Sequence, residues 1–154
     1  MSDPQLSSAL APTPSAEEYT QALLGPSTQR TPGAQWVEQA VRTMWPMAKP
    51  PSVKDLAQTL DVSERHLMRV VKRETGKSLT EIRREIRMHH AKEAVVKSTT
   101  PIVQIARSFG YSTTSGFCRD FRRVFDCAPL QFRQNVKRML ATPDTGKWGA
   151  PTRV

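Results

Sequence analysis

Two groups of side chains in this sequence have the types and spacing to grip a polyanion. Glu64, Arg65, Met68, Arg69 and Lys72 fall at i, i+1, i+4, i+5 and i+8, which on a helix is one side. Thr114, Ser115, Cys118, Arg119 and Arg122 repeat that arithmetic. An exposed guanidinium can pair bidentately with guanine O6 and N7, worth about 1–3 kcal/mol of discrimination. Ser and Thr hydroxyls can reach a base or a phosphate. Lys72, Arg73, Arg122 and Arg123 are better placed for phosphates, which supply affinity but carry no sequence information.

Competing chemistries have little to stand on. The sequence has no phosphate-cradling Gly loop, no metal-ligand spacing and no nucleophile–base pair, so catalytic residues, a metal site and a cofactor are not expected. His89 and His90 are adjacent, and neighbours on a helix point about 100° apart; they cannot clasp one ion and read as surface or linker packing. His66 reads as a packing residue or a phosphate contact. Cys118 and Cys127 are nine residues apart and match no zinc spacing. Buried, inert thiols are the expectation, with a redox switch as the sharper alternative. Arg119, between Phe117 and Phe121, is assigned to base or phosphate contact in preference to a structural pair with Glu or Asp. Trp36, Trp45 and the methionines at helical spacing are assigned to the core.

The elements that must position these residues are helical. Val37, Val41 and Trp45 recur at i, i+4, i+8, and Pro46, Pro50 and Pro51 stop that helix. Ser52 caps a helix over Val53–Leu60, with Asp55 in a capping-box position. Asp61-Val62-Ser63 forms a turn, Ser63 caps Glu64–Thr75, and Gly76 ends it. Ser78-Leu79-Thr80-Glu81 is a second capping box, opening a helix to about Ser98, roughly 28 Å long. The pattern then repeats. Thr100 caps, Pro101 takes the first helical position of a helix to Phe109, Gly110-Tyr111-Ser112 turns, and a helix of about Thr113–Phe125 follows. Pro129 opens the last helix, to about Leu140. A short helix, tight turn and longer helix thus occur twice, about 49 residues apart. In this arrangement the first helix braces and the second lies in the major groove. Leu56-Ala57 and Ile105-Ala106 face the second helices. Leu67 with Val70-Val71, and Phe117, Phe121 and Val124, are the inward faces. The expected fold is all-α, with about seven helices in two helix-turn-helix subdomains, 35–78 and 99–140, joined by a linker helix over 79–98.

Of 154 residues, 38% are hydrophobic and only 6% aromatic, so the core is expected to be mostly aliphatic. The net charge is +9, and it is unevenly placed. Residues 1–34 hold one basic and three acidic residues, whereas Ser63–Arg138 holds 17 basic against 7 acidic. A basic folded part points to nucleic acid or an anionic membrane surface. No apolar run approaches the ~20 residues of a membrane span, and no signal peptide is read at the start, so a reduced, cytoplasmic protein is expected. Residues 1–34 carry five prolines among Ser, Thr, Gln and Ala and are expected to be disordered, with room for a short helix near Ala16–Leu24. A flexible tail is expected over 141–154.

Taken in order, the residues Leu56-Ala57, Ser63–Arg69 and Lys72–Gly76, then Arg87 with Ala91, then Pro101–Ala106, Gly110-Tyr111, Phe117, Arg119–Arg123, Phe125, Pro129 and Phe132-Arg133 resemble the DNA-binding domain of AraC-type regulators over about Gln35–Arg138. Val71 stands where that family usually has an aromatic, Ile82 where it has Tyr, Asp126 where it has Gly, Tyr111 for a common Phe and Ala128 for a common Ser. The resemblance implies base readers at Arg65, Met68 and Arg69 in the first unit and at Thr114, Ser115 and Arg119 in the second. Backbone contacts are expected from Ser63, His66, Lys72, Arg73, Ser112, Thr113, Arg122 and Arg123. The small Gly116 and Cys118 suggest that the second reading helix discriminates less. The implied function is sequence-specific binding of double-stranded DNA in transcription control, by a monomer at the nucleoid, with RNA polymerase as partner. Most family members add a ligand-sensing, dimerising domain, for which residues 1–34 are too short. Non-specific nucleoid binding, or a truncated regulator acting as a protein-interaction module, are the alternatives.

Overall fold

The computed structural model describes residues 12–26 and 30–141, and every regular element among them is helical. The eight helices are α1 (Ala16–Leu24), α2 (Ala34–Met44), α3 (Val53–Thr59), α4 (Glu64–Thr75), α5 (Leu79–Lys97), α6 (Ile102–Ser108), α7 (Thr114–Phe125) and α8 (Pro129–Ala141). None is long and apolar enough to cross a membrane. Apart from Ala141, the tail expected over 141–154 lies outside the described residues, as do residues 1–11.

Local chemistry sets most boundaries. The hydroxyl of Ser63 accepts the His66 N–H at 3.1 Å, and Gly76 closes α4 in the left-handed region at φ 76°. Ser78 and Glu81 satisfy each other's backbone N–H groups at the start of α5, at 3.2 and 2.7 Å. Two caps differ from expectation. At α3, Ser52 accepts the Asp55 N–H, but the Asp55 carboxylate accepts from the Ser52 hydroxyl and not from the backbone. At α6, Thr100 does not cap. Pro101 is the N-cap, its carbonyl taking the N–H groups of Gln104 and Ile105. Thr100 is used otherwise, its carbonyl receiving a 2.7 Å bond from Arg133.

Each short helix turns into its longer partner in the same way. The N–H of Val62 reaches the Ala57 carbonyl and that of Tyr111 the Ala106 carbonyl, both at 3.0 Å. The residue preceding each has positive φ, Asp61 at 57° and Gly110 at 85°. The second turn is one residue longer, because Thr113 and not Ser112 caps α7.

Two apolar cores result, and they differ in kind. The first, around Val37, Val41, Leu56, Leu67 and Ile82, is mainly aliphatic, with the Tyr19 ring buried in it and Trp45 packed against it. The second holds all five phenylalanines of the chain, Phe109, Phe117, Phe121, Phe125 and Phe132. Phe121 lies with its ring centre 4.7 Å from Phe125 and 5.4 Å from Phe132. The expectation of a mostly aliphatic interior therefore fails for the second unit, since a small aromatic total can still be concentrated. Burying each such ring contributes about 1.5–3 kcal/mol. Helix α5 serves both cores: Leu79, Ile82 and Ile86 belong to the first, and Met88, Ala91 and Val95 to the second.

Within the stretch 1–34, the short helix allowed near Ala16–Leu24 forms with those bounds. Ser15 and Glu18 form a reciprocal capping box, and Gly25 ends the helix at φ 77°. Tyr19 is buried in the first core, with Leu23 and Leu24 packed against it. Apolar side chains at i, i+4 and i+5 give this short helix one face to bury, which offsets its ordering entropy.

Candidate nucleic-acid interface

Helix α4 buries Leu67, Val70 and Val71 and leaves the opposite side open. Arg65, Met68, Arg69, Lys72 and Arg73 are exposed there, Met68 to 43%. Helix α7 buries Phe117, Phe121 and Phe125, while Ser115, Arg119, Arg122 and Arg123 are exposed and Thr114 and Cys118 half-buried. Ser115, Cys118, Arg119, Arg122 and Arg123 together line an open depression on α7. The two groups singled out by spacing are therefore each gathered on one exposed helix face.

The charges on these faces are largely uncommitted. Among the described residues, Arg65, Arg119 and Arg122 make no ion pair with an acid. Asp120, the neighbour of Arg119, turns inward, accepting the Tyr111 hydroxyl at 2.8 Å and facing Arg84 at 3.5 Å. Arg73 pairs with Glu74 at 3.0 Å and Arg123 lies 3.9 Å from Asp120. Both arginine side chains remain more than half exposed, at 62% and 57%, so these surface pairs contribute little and can be exchanged for phosphate. Lys72 donates to the Gly76 carbonyl at 2.9 Å. Ser63 and Thr113 spend acceptor capacity on the caps, and their hydroxyl protons stay available to an acceptor such as phosphate. Ser112 is exposed.

His66 is more constrained than its position suggests. Trp36 of α2 stands edge-on to its ring, with centres 6.3 Å apart and an interplanar angle of 87°. On its other side Nδ1 lies 3.5 Å from Nη2 of Arg69. Trp36, half-buried and outside the first core cluster, thus flanks α4 and does not fill the interior assigned to it. Met47, 45% exposed, is likewise no core residue. Sequence spacing could not reveal the Trp36–His66 contact, because it depends on how α2 crosses α4.

Several cations in the basic stretch are structural. Arg133, buried in α8, donates to the carbonyls of Val95 at 2.8 Å and Thr100 at 2.7 Å. Arg83 donates to the Pro51 and Pro50 carbonyls at 2.7 and 3.3 Å. Arg87 lies over the Tyr111 ring at 5.4 Å. The positive charge of residues 63–138 is therefore not all available to a polyanion. The Glu74 carboxyl is held below the usual carboxylate range by the Thr31 hydroxyl and by Arg73.

His89 and His90 do not share a ligand set. His90 Nε2 donates to the Trp45 carbonyl at 2.5 Å. His89 is packed among the rings of Tyr19, Trp45 and Phe125. No group of three His, Cys, Asp or Glu among the described residues could hold a metal ion. Cys127 is buried and Cys118 half-buried.

A protein-family model described as a helix-turn-helix domain matches residues 56–135. The lactose operon transcription activator of Staphylococcus xylosus is 29% identical over 84 residues, 54% of this chain and 30% of that protein. The multiple antibiotic resistance protein MarA of Escherichia coli is 28% identical over 98 residues, 64% of this chain and 72% of that protein. The crystal structure of a transcriptional regulator with an AraC-type DNA-binding domain from Chromobacterium violaceum superposes with a TM-score of 0.63 at 28% identity. That match covers 73% of this chain and 99% of the other. Two helix-turn-helix units on a shared linker helix, each with an exposed basic face, and these likenesses agree: the chain belongs to the AraC-type family of helix-turn-helix DNA-binding transcription regulators.

Proposed function

We propose that this chain reads double-stranded DNA at two adjacent major-groove segments, one for each of α4 and α7. Arg65, Met68 and Arg69 contact bases in the first segment, and Thr114, Ser115 and Arg119 in the second. Ser63, His66, Lys72, Arg73, Ser112, Thr113, Arg122 and Arg123 hold the sugar-phosphate backbone. The observation that carries this reading is that Arg65, Arg69, Arg119 and Arg122 stand exposed on two equivalently capped helices, with no ion pair among the described residues to hold them back. Guanidinium groups without a competing carboxylate are free to take guanine edges and phosphates. The 19-residue α5, about 28 Å at 1.5 Å per residue, suits a separation of about one DNA turn, ~34 Å.

Two reading units in one chain can occupy an asymmetric site without a second copy, so binding as a monomer in the cytoplasm, on the nucleoid, is the natural mode. RNA polymerase is the partner through which such a bound protein acts on transcription. The relation to a lactose operon transcription activator supports this assignment.

The test is selection of duplexes from a random library at physiological salt, followed by binding of the winner by wild type and Arg69→Ala. The expected result is two short blocks about one turn apart, with Arg69→Ala blurring one block only. Absence of enrichment, with affinity that merely collapses as salt rises, identifies a non-specific binder and ends this reading. A complex with an acidic protein that survives excess competitor DNA would point instead to an interaction module.

A further inference from the structure

Helix α1 precedes both helix-turn-helix units and packs into the first core, and its Tyr19 reaches the place where the two units meet. The boundary between the cores falls on α5 between Ile86 and Met88. Tyr19 of α1 reaches that boundary. Its hydroxyl donates to Glu85 Oε2 at 2.5 Å, and its ring centre is 5.1 Å from Trp45 and 5.9 Å from His89. His89 in turn stands edge-on to Phe125, at 5.7 Å. Trp45 ends α2 in the first unit and Phe125 ends the reading helix of the second. A cluster of rings therefore joins one unit to the other: Tyr19, Trp45 and His89 meet one another, and His89 meets Phe125. Just before α1, the Thr13 side chain hydrogen-bonds the Glu93 carboxylate. Glu85 and Glu93 lie on opposite sides of the boundary, so this short segment is fastened to α5 on both sides of it.

Without these contacts the first unit meets the linker through Leu79, Ile82 and Ile86, the Arg83 bonds to Pro50 and Pro51, and the His90–Trp45 bond. The second unit is held to the same helix by its core and by Arg84–Asp120. Trp45 also meets His89 directly, with ring centres 5.8 Å apart, and Tyr19 packs against both rings at this crossing and adds its hydroxyl bond to Glu85.

We propose that Tyr19 is a positioning residue: by fastening α1 across the junction it fixes the angle between α4 and α7 and so sets the number of base pairs tolerated between the two DNA blocks. This inference rests on the two-segment reading above. Each base pair added between the blocks turns the second block by about 35° around the duplex, which a fixed pair of reading helices cannot follow. The hydroxyl, the ring and Thr13 each contribute a separable tie.

The experiment measures affinity of the full chain, by fluorescence anisotropy, for duplexes carrying both selected blocks at the native spacing and with one or two base pairs added or removed. Wild type is compared with Tyr19→Ala and with a Tyr19→Phe, Thr13→Ala double variant, which keeps the ring in the core and so keeps the question answerable if Tyr19→Ala loses helicity. The expected result is a sharp optimum for wild type and, in the variants, a preference for native spacing reduced about 2- to 30-fold. Affinity for a duplex bearing only the first block should be nearly unchanged. Variants that lose affinity equally at every spacing, or keep the wild-type preference, overturn the proposal. A flat profile for wild type itself overturns the two-segment reading on which it rests, and the wild-type data alone reveal that case.

Discussion

Asp126 ends α7 in the same left-handed conformation in which Gly76 ends α4, with φ at 60° and 76°. Each sends its N–H to the carbonyl four residues back, Asp126 to Arg122 at 2.8 Å and Gly76 to Lys72 at 2.9 Å. Only glycine adopts this region freely; an L side chain there costs about 1–2 kcal/mol, somewhat less for Asp and Asn. Helix α7 therefore ends on a strained residue where α4 does not. Asp126→Gly should raise stability by about 1 kcal/mol, seen as a melting temperature a few degrees higher. Gly76→Asp should lower it comparably, since a side chain at Gly76 meets open space and only the backbone is strained. An Asp126→Gly protein that melts at or below wild type contradicts this account.

His89 gives the fold an acid-sensitive joint. Burial, reinforced by the nearby Lys92, pushes its pKa down from 6.5 to about 4, against the opposing pull of Glu85. The folded chain thus holds His89 neutral, while the unfolded chain protonates it below about 6.5. The resulting stability is complete above that pH and is lost progressively as the pH falls towards 4, where the folded state protonates as well. Urea midpoints measured between pH 7 and 4 should fall for wild type and fall less for His89→Phe. Carboxylates such as Glu93, held low by Thr13 and Lys97, add their own losses only at the acid end. Parallel curves for the two proteins would remove His89 from the explanation.

The parts of this architecture that were legible in the sequence are those with local causes. Ser63, Ser78 and Gly76 act on backbone groups within a few residues, so their types and spacing suffice to place helix ends. The inward positions of α4, and Phe117 and Phe121 of α7, follow from the helical period, whereas Phe125 is buried in the place expected of Val124, which is half-buried. Where a distant partner decides, spacing fails. Thr100 looks like a cap, but Pro101 takes that place and Arg133, 33 residues away, claims the Thr100 carbonyl. The short helix around Tyr19 was readable, but its burial was not, because the partner Glu85 is 66 residues away. The candidate interface divides in the same way. Exposure of Arg65, Arg69, Arg119 and Arg122 was readable, whereas the commitment of Arg83, Arg87 and Arg133 to structure was not, since a guanidinium's acceptor cannot be read from its own neighbourhood in the chain.

Base-facing and phosphate-facing cations should separate by salt. Each phosphate neutralised lowers the slope of log affinity against log salt by about 0.9 for duplex DNA. Arg122→Ala should weaken binding to every sequence alike and reduce that slope by about one. Arg69→Ala should cost about 1–3 kcal/mol on the preferred site and little on a scrambled one. Titrations of both variants on both duplexes at several salt concentrations decide the matter. If Arg122→Ala discriminates between the duplexes as Arg69→Ala is expected to, the two roles are wrongly assigned.

Trp36 should matter to the first DNA block and not to the second. Its ring meets His66 edge-on, and His66 adjoins Arg69 at 3.5 Å, so the indole limits where the imidazole, and through it the guanidinium, can sit. An aromatic pair of this kind is worth about 0.5–1.5 kcal/mol, so Trp36→Ala should weaken binding roughly 2- to 10-fold. That loss should appear on duplexes that keep the first block and scramble the second, and vanish on the reverse design. Trp36→Phe, which retains a ring edge against His66, should recover most of it. Because α2 also packs on α4 through Val37 and Val41 in the first core, a general loss of fold would weaken binding to both designs equally and lower the melting temperature. That outcome would make Trp36 an ordinary packing residue. Block-selective loss with unchanged melting ties it to the reading surface.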